Sequence, residues 1–263
     1  AGRIVAHRRK ATMAAQACQA PLGLSTDSSS RHVSQTYKSQ HRCTPSLNKK
    51  VVTDEKQQET VTIFDWDDTL LPSTFLSSNG YRLDSTKEMP EEMQKQISTL
   101  QDSVVSLIQL ALDKRDTVYI ITNAEEGWVE LSAQKFMPAV VPMLSRLEII
   151  SARSTYEYRF PQSPLQWKYY AFQHNLEKAF KRELGAKCVI SFGDSQVERQ
   201  VVRAVSKTFH NSIAKSIKFA ERPSLEQLKR QVELVSKCFE NVYSHQGDLD
   251  LMLTISLTSE KSS

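Results

Sequence analysis

Five short runs of β-branched, aliphatic and aromatic residues recur along this chain, and a helix-length amphipathic stretch follows each one. The runs fall near 60–65, 117–122, 147–151, 187–192 and 213–219. The helical stretches fall near 89–113, 125–136, 164–184, 195–206 and 224–241. In the first of them Met93, Ile97, Leu100, Val104, Ile108 and Leu112 recur at three- and four-residue steps, which lays one apolar stripe along a helix. Strands that alternate with helices in this way leave few folds open. The alternation predicts an α/β protein: a doubly wound, Rossmann-like parallel sheet of about five strands with helices on both faces. In such a sheet ligands bind beyond the carboxyl ends of the strands.

Four of the candidate chemical positions lie at that end. Val61-Thr62-Ile63-Phe64 runs straight into Asp65-Trp66-Asp67-Asp68-Thr69. Side chains two apart on an extended chain face the same way, so Asp65 and Asp67 crowd two anions into one volume. That costs free energy unless a cation sits beside them. A bound divalent metal, with one carboxylate as nucleophile and one as proton carrier, would answer the cost. A turn closed by Asp and Thr is the plainer alternative for this stretch alone. Val118-Tyr119-Ile120-Ile121 ends in Thr122-Asn123, a hydroxyl and an amide suited to phosphoryl oxygens, although a strand-end Thr also caps helices. Ser163-Pro164 reads as a helix start, which places Lys168 one turn in, among Trp167, Tyr169, Tyr170 and Phe172. Arg153 competes with Lys168 for the role of fixed cation. Finally Cys188-Val189-Ile190-Ser191-Phe192 leads into Gly193-Asp194, and Glu198 follows one turn into the next helix.

Asp65-x-Asp67-x-Thr69, then Thr122, then Lys168, then Gly193-Asp194-x-x-x-Glu198 resembles the motif series of the haloacid dehalogenase (HAD) superfamily of phosphohydrolases, over roughly residues 59–220. Glu198 stands where that series commonly has a second aspartate. The resemblance implies a Mg2+-dependent phosphatase that works through an aspartyl-phosphate. Asp65 would be the nucleophile and Asp67 the general acid and base. Mg2+ would lie on the side chains of Asp65 and Asp194 and the main-chain carbonyl of Asp67. Thr122, Asn123 and Lys168 would hold the phosphoryl oxygens, with Thr69 and Glu198 behind them, the latter reaching the metal or holding Lys168. Asp67 favours phosphate chemistry over dehalogenation, whose enzymes lack the second aspartate. The superfamily also places a short helical turn and a β-hairpin flap after the first motif, and Asn79-Gly80 is a strong hairpin signal. About 47 residues separate Thr69 from the next strand, too few for a large cap domain once the long helix is placed. By analogy an open site implies a phosphoprotein or another bulky phosphoester as substrate. The alternatives are a small-metabolite phosphatase capped by oligomerisation, or a phosphate-binding scaffold without turnover.

Charge is distributed unevenly. The chain carries +4 overall, but residues 1–50 hold nine Lys/Arg and one acid, Asp27, which leaves 25 basic and 29 acidic residues for the rest. A basic tail on a mildly acidic domain is not a nucleic-acid-binding face, and no nucleic-acid partner is expected. The expected boundaries are 1–58, a disordered basic Ser/Arg-rich tail; 59–245, the catalytic domain; and 246–263, an extension whose Asp248–Ile255 alternate as an edge strand does. The tail's composition suits either a flexible terminus or an organelle-import address. No apolar stretch of about 18 residues occurs, so no membrane span is expected. Cys18, Cys43, Cys188 and Cys238 show neither zinc nor disulfide spacing, which suits a reducing, intracellular and cytoplasmic setting.

Overall fold

The structure, a computed structural model, describes residues 2–8 and 58–257. In chain order the elements are β1 (Gly2–Arg8), β2 (Glu59–Phe64), α1 (Ser73–Ser78), α2 (Glu91–Asp113), β3 (Thr117–Thr122), α3 (Trp128–Phe136), α4 (Val141–Leu144), β4 (Glu148–Ser151), α5 (Ala152–Tyr156), α6 (Pro164–Ala179), β5 (Lys187–Gly193), α7 (Gln196–Ser206), β6 (Ser212–Lys218), α8 (Leu225–Ser244) and β7 (Leu249–Leu257). Among the described residues they build one seven-stranded sheet in the order β1-β7-β6-β5-β2-β3-β4. Six strands run parallel, and β1 pairs antiparallel with β7. The chain lays β3 and β4 to one side of β2, then returns to lay β5, β6 and β7 on the other. Strand order therefore reverses at β2, and the crevice beyond its carboxyl end is where such a sheet takes a ligand.

Alternation along the strands feeds two cores. Phe64, Ile120, Ile190 and Ile217 face α2, α3 and α8. Val61, Ile63, Tyr119, Ile121, Val189 and Ala214 face α6 and α7. Because both faces are covered, the strands read as nearly continuous apolar runs. On α2 the buried stripe is Ile97, Leu100, Val104, Leu107, Ile108 and Ala111, with Met93 and Leu112 partly buried at its flanks. Each fully buried aliphatic side chain there contributes about 1.5–3 kcal/mol of transfer free energy. Leu225, Leu228, Val232 and Val235 of α8 lie in the same core, so that helix covers the sheet.

Several expectations are corrected. The sheet has seven strands rather than about five. Gly2–Arg8, assigned to the tail on composition, instead form β1, whose backbone groups pair with the open side of β7. The rest of the expected tail, with Cys18 and Cys43, lies outside the described residues. In turn β7 sits between β6 and β1 and is not an edge strand. Asn79-Gly80 makes no hairpin. Gly80 (φ 81°) follows the C-cap of α1 in a left-handed conformation. The Tyr81 N–H donates to Leu76 O at 2.9 Å and the Gly80 N–H to Ser77 O at 3.0 Å. That is a Schellman ending, closed by buried Leu76 and Tyr81. Positive φ at Gly serves a helix end as well as a hairpin, and the helix before it decides between them. No large cap occurs between β2 and β5, and no helix among the described residues is long and apolar enough to cross a membrane.

Candidate active site

Strand register aligns the candidate residues. Phe64 is level with Phe192 on one side and Ile120 on the other, and the rings of Phe64 and Phe192 stack at 4.9 Å. The Asp65 N–H continues the ladder onto Phe192 O at 2.8 Å. Beyond that point β2 and β5 stop pairing, and Asp65, Thr122 and Asp194 leave three neighbouring strands at one level.

Lys168 reaches this point from α6. It is 1 % exposed, and its Nζ lies 2.8 Å from Asp65 Oδ1 and also contacts Glu198 Oε1. The ammonium thus joins strand β2 to helix α7 inside the protein. Arg153, the rival cation, is engaged elsewhere, with Glu157 at 2.8 Å and Glu125 at 3.5 Å. Of the two roles open to Glu198, holding Lys168 is the one observed. The same side chain closes a capping box: its Oε2 accepts the Ser195 N–H at 3.1 Å, and Ser195 Oγ accepts the Val197 N–H at 3.0 Å.

Carboxylate oxygens of Asp65, Asp194 and Glu198 all lie within 4.8 Å of one another. When all three are ionised they outnumber the Lys168 ammonium that pairs with Asp65 and Glu198; those two are buried and Asp194 is half-buried. Burial pushes the Asp65 carboxyl well above its usual range; Lys168 pulls it down and Glu198 pushes it up again. For Glu198 the charge and hydrogen bond of Lys168 and the bonds from Ser195 outweigh burial, so its pKa is lowered. Burial would lower Lys168, but Asp65 and Glu198 outweigh it and raise the ammonium's pKa, so it stays charged. Asp194 is pushed up to about 7, first by burial, then by Glu198 and Asp68. An all-oxygen donor set in which carboxylates outnumber the paired ammonium fits a hard divalent cation such as Mg2+. Asp65 and Asp194 are the side chains placed to hold it, since Glu198 is already committed to Lys168 and Ser195.

Asp67 has different surroundings. Its Oδ1 accepts the Trp128 indole N–H at 3.0 Å, and Thr122 Oγ1 lies 3.5 Å from its Oδ2, the outer limit of hydrogen bonding. Burial raises its pKa, against the bonds from Ser73 and Trp128 and the charge of Lys168. A carboxyl that retains its proton at higher pH is suited to serve as a general acid. The Thr122 hydroxyl also accepts the Ala124 N–H at 3.0 Å. Asn123 Nδ2 donates to Pro164 O at 3.3 Å and ties the end of β3 to the start of α6, while its Oδ1 is buried without a partner. Thr69 is fully buried, and its hydroxyl likewise has no partner.

The sequence reading missed three residues. Trp128 opens α3 directly after Gly127 (φ 83°) and bonds Asp67. Asp68 adopts φ 52°, and its Oδ1 accepts the Thr74 N–H at 3.0 Å, which anchors α1 beside the site. Lys218 is 6 % exposed and donates to Asp194 O at 2.6 Å. Only Gly127-Trp128, a glycine and an aromatic at the start of the helix that follows Thr122, carried a local signal.

Gly193 is required by close approach. A Cβ there would lie 2.4 Å from Glu198 Cγ and 2.8 Å from Glu198 Cβ. Because Glu198 is bound at both carboxylate oxygens, it cannot swing away. Gly193→Ala is therefore expected to destabilise the fold by about 1–3 kcal/mol, read as a lowered Tm. A Tm equal to that of the unaltered protein would mean that Glu198 is not held as described.

Comparison with protein-family models, with curated proteins and with solved structures gave no match to this chain.

Proposed function

We propose that this protein is a Mg2+-dependent phosphomonoester phosphatase of the HAD type, and that a phosphoprotein or another bulky phosphoester is its substrate. The observation that carries the reading is the buried Asp65–Lys168 pair with the half-buried Asp194 beside it at the strand-order reversal, and a separately tuned carboxyl, Asp67, two residues from the first. The reading fits phosphoryl transfer because that chemistry needs little beyond positioning and neutralisation of spread charge.

The steps follow from the chain's own groups. The Asp65 carboxylate attacks phosphorus while the bond from phosphorus to the leaving oxygen breaks, and Asp67 gives that oxygen its proton. An aspartyl-phosphate on Asp65 results. Asp67, now a carboxylate, takes a proton from water as the water oxygen attacks phosphorus. The bond from phosphorus to Asp65 breaks, phosphate leaves, and Asp67 is again protonated. Lys168 and the Thr122 and Asn123 groups offset negative charge on the phosphoryl oxygens. A Mg2+ held by Asp65, Asp194 and the main-chain carbonyl of Asp67 would supply further neutralisation of that charge. Among the described residues no folded cap covers the site, which suits a large substrate over a small metabolite.

The test is hydrolysis of an aryl phosphate with and without Mg2+, beside Asp67→Asn. Turnover is expected to require the ion and to fall about 10²- to 10⁴-fold in the variant. Equal trace release under all conditions would favour a phosphate-binding scaffold.

Thermal melts give a measurement independent of turnover. A carboxyl whose folded pKa is raised contributes stability that is complete below its unfolded pKa and lost as pH climbs through the folded value. For Asp194 the loss in the ion-free protein begins near the ordinary carboxylate pKa of about 4 and levels off above about 7, so pH 6 lies within it and pH 8 beyond it. Mg2+ competes with that proton, so the rise in Tm caused by Mg2+ is expected to be larger at pH 8 than at pH 6, by about 2–4 °C for each kcal/mol recovered. A Tm that ignores Mg2+ at both values would remove the ion from the proposal.

A further inference from the structure

Trp128 has two environments. Its indole N–H bonds Asp67, and its ring lines a cavity of about 390 Å3 between α1, the segment after it and α3. Leu71, Leu76, Leu83 and Phe136 make the rest of an apolar wall, and Ser73, which bonds Asp67, lies on the rim. Tyr81, Arg82 and Phe136 are shared with a second cavity of about 430 Å3, lined further on by Lys87, Lys135 and Gln94. Both volumes fall in the range of about 300–1,000 Å3 that small-molecule and side-chain pockets occupy.

Charge in these cavities is of one sign. Among the described residues no Asp or Glu lines either of them. Lys87 Nζ donates to Asn79 O at 2.9 Å and sits 4.8 Å from the centre of the Tyr81 ring. Lys135 Nζ donates to Leu83 O and Ser85 O at 2.9 and 2.6 Å. Among the described residues neither lysine forms an ion pair, and the exposed Arg82 guanidinium has no partner. Three cations beside an apolar slot, with no described carboxylate lining it or paired with them, match a ligand that is apolar at one end and anionic at the other.

We infer that the paired cavities receive the leaving group of the substrate, and that this group carries an apolar, aromatic-sized body next to the ester oxygen and an anionic end beyond it. The inference rests on the phosphatase reading, because the general acid fixes the direction. Asp67 must hand its proton to the leaving oxygen, and so the leaving group departs on the side of Asp67. There the first surfaces it meets are Ser73, Trp128 and the apolar wall. Its far end arrives at Arg82, where the two cavities join. A polar, short-chain phosphoester such as glycerol phosphate would leave the wall unfilled and the cations unmet. This cavity, not a cap, is then the source of selectivity.

Two probes separate the contributions: naphthyl phosphate, and the same ester bearing a ring carboxylate. The carboxylated ester is expected to have a KM about tenfold lower in the unaltered protein, and Arg82→Ala is expected to erase that ratio. Arg82 is exposed, so the change leaves folding intact. Calorimetric binding of the phosphate-free alcohols, naphthol and hydroxynaphthoate, reads the cavity without turnover. Leu83→Trp, which fills the slot, is expected to weaken both by at least about tenfold. Arg82→Ala is expected to weaken hydroxynaphthoate alone. Naphthol that fails to bind, or that binds the Leu83→Trp variant as well as the unaltered protein, would overturn the assignment even if Mg2+-dependent hydrolysis is robust. Equal KM values for the two esters in the unaltered protein would also overturn it. Selective alcohol binding without any hydrolysis would instead overturn the phosphatase reading and leave a ligand pocket.

Discussion

Asp65→Asn is expected to abolish Mg2+-dependent hydrolysis, with kcat reduced at least about a thousandfold while the chain stays folded. An amide has the same shape as the carboxylate but no anionic oxygen to attack phosphorus. Asp67 is turned towards Trp128 and Thr122, and Glu198 is bound by Lys168 and Ser195. Neither can act as a spare nucleophile. The variant also removes one of the two carboxylates on Lys168, so its Tm must be measured alongside. A folded Asp65→Asn protein that keeps a tenth or more of the activity would exclude the aspartyl-phosphate route. Trapping gives a second readout: a phosphorylated protein should form on brief mixing of the unaltered chain with an activated phosphate ester, and should be absent in the variant.

The largest loss of stability is expected from Lys168→Met. The methionine chain fills most of the same space, so a cavity contributes little. The variant does leave Asp65 and Glu198, 7 % and 4 % exposed, without their shared counter-charge. Removing one partner of a buried ion pair costs about 3–5 kcal/mol. In a domain of this size that corresponds to a Tm lowered by roughly 6–20 °C. Adding Glu198→Gln to Lys168→Met should recover part of the loss, because one of two stranded charges is then neutral. Losses that simply add would show that the two side chains are not coupled, and Asp65, Lys168 and Glu198 would fail as an electrostatic unit. Mg2+ held by Asp65 and Asp194 would offset the same charges, so it is expected to rescue part of the single variant's Tm.

Two places differ between the sequence reading and the structure for the same reason. Asn79-Gly80 and Gly2–Arg8 are short stretches whose local chemistry suits more than one conformation. Asn-Gly favours positive φ wherever the chain must reverse, at a hairpin or at a helix end. Gly2–Arg8 lies at the head of a basic, polar stretch, but Ile4 and Val5 can extend along β7, which had an open row of hydrogen-bonding groups. Composition averages over fifty residues and does not register seven.

The buried cations show the other limit. Lys187, Lys215 and Lys218 lie in strands at 3 %, 0 % and 6 % exposure. Lys215 donates to Val242 O and Tyr243 O at 2.9 and 2.6 Å, the unpaired carbonyls near the end of α8. No pattern around Lys215 announces a helix end that arrives from some thirty residues away.

What the sequence determined by itself is the alternation of strands with helices and the ranking of Asp65, Asp67, Thr122, Lys168 and Asp194 as residues at strand ends or first helical turns. Both follow from local periodicity, which the backbone obeys before any tertiary contact forms. Tertiary structure alone decided that Lys168, and not Arg153, meets Asp65, that Glu198 holds that lysine, and that Trp128 joins Asp67 to an apolar, basic-rimmed cavity. Those are contacts between side chains thirty to a hundred residues apart. Their energies depend on burial and on a few ångströms of separation, quantities that exist only once the sheet has brought its strand ends together.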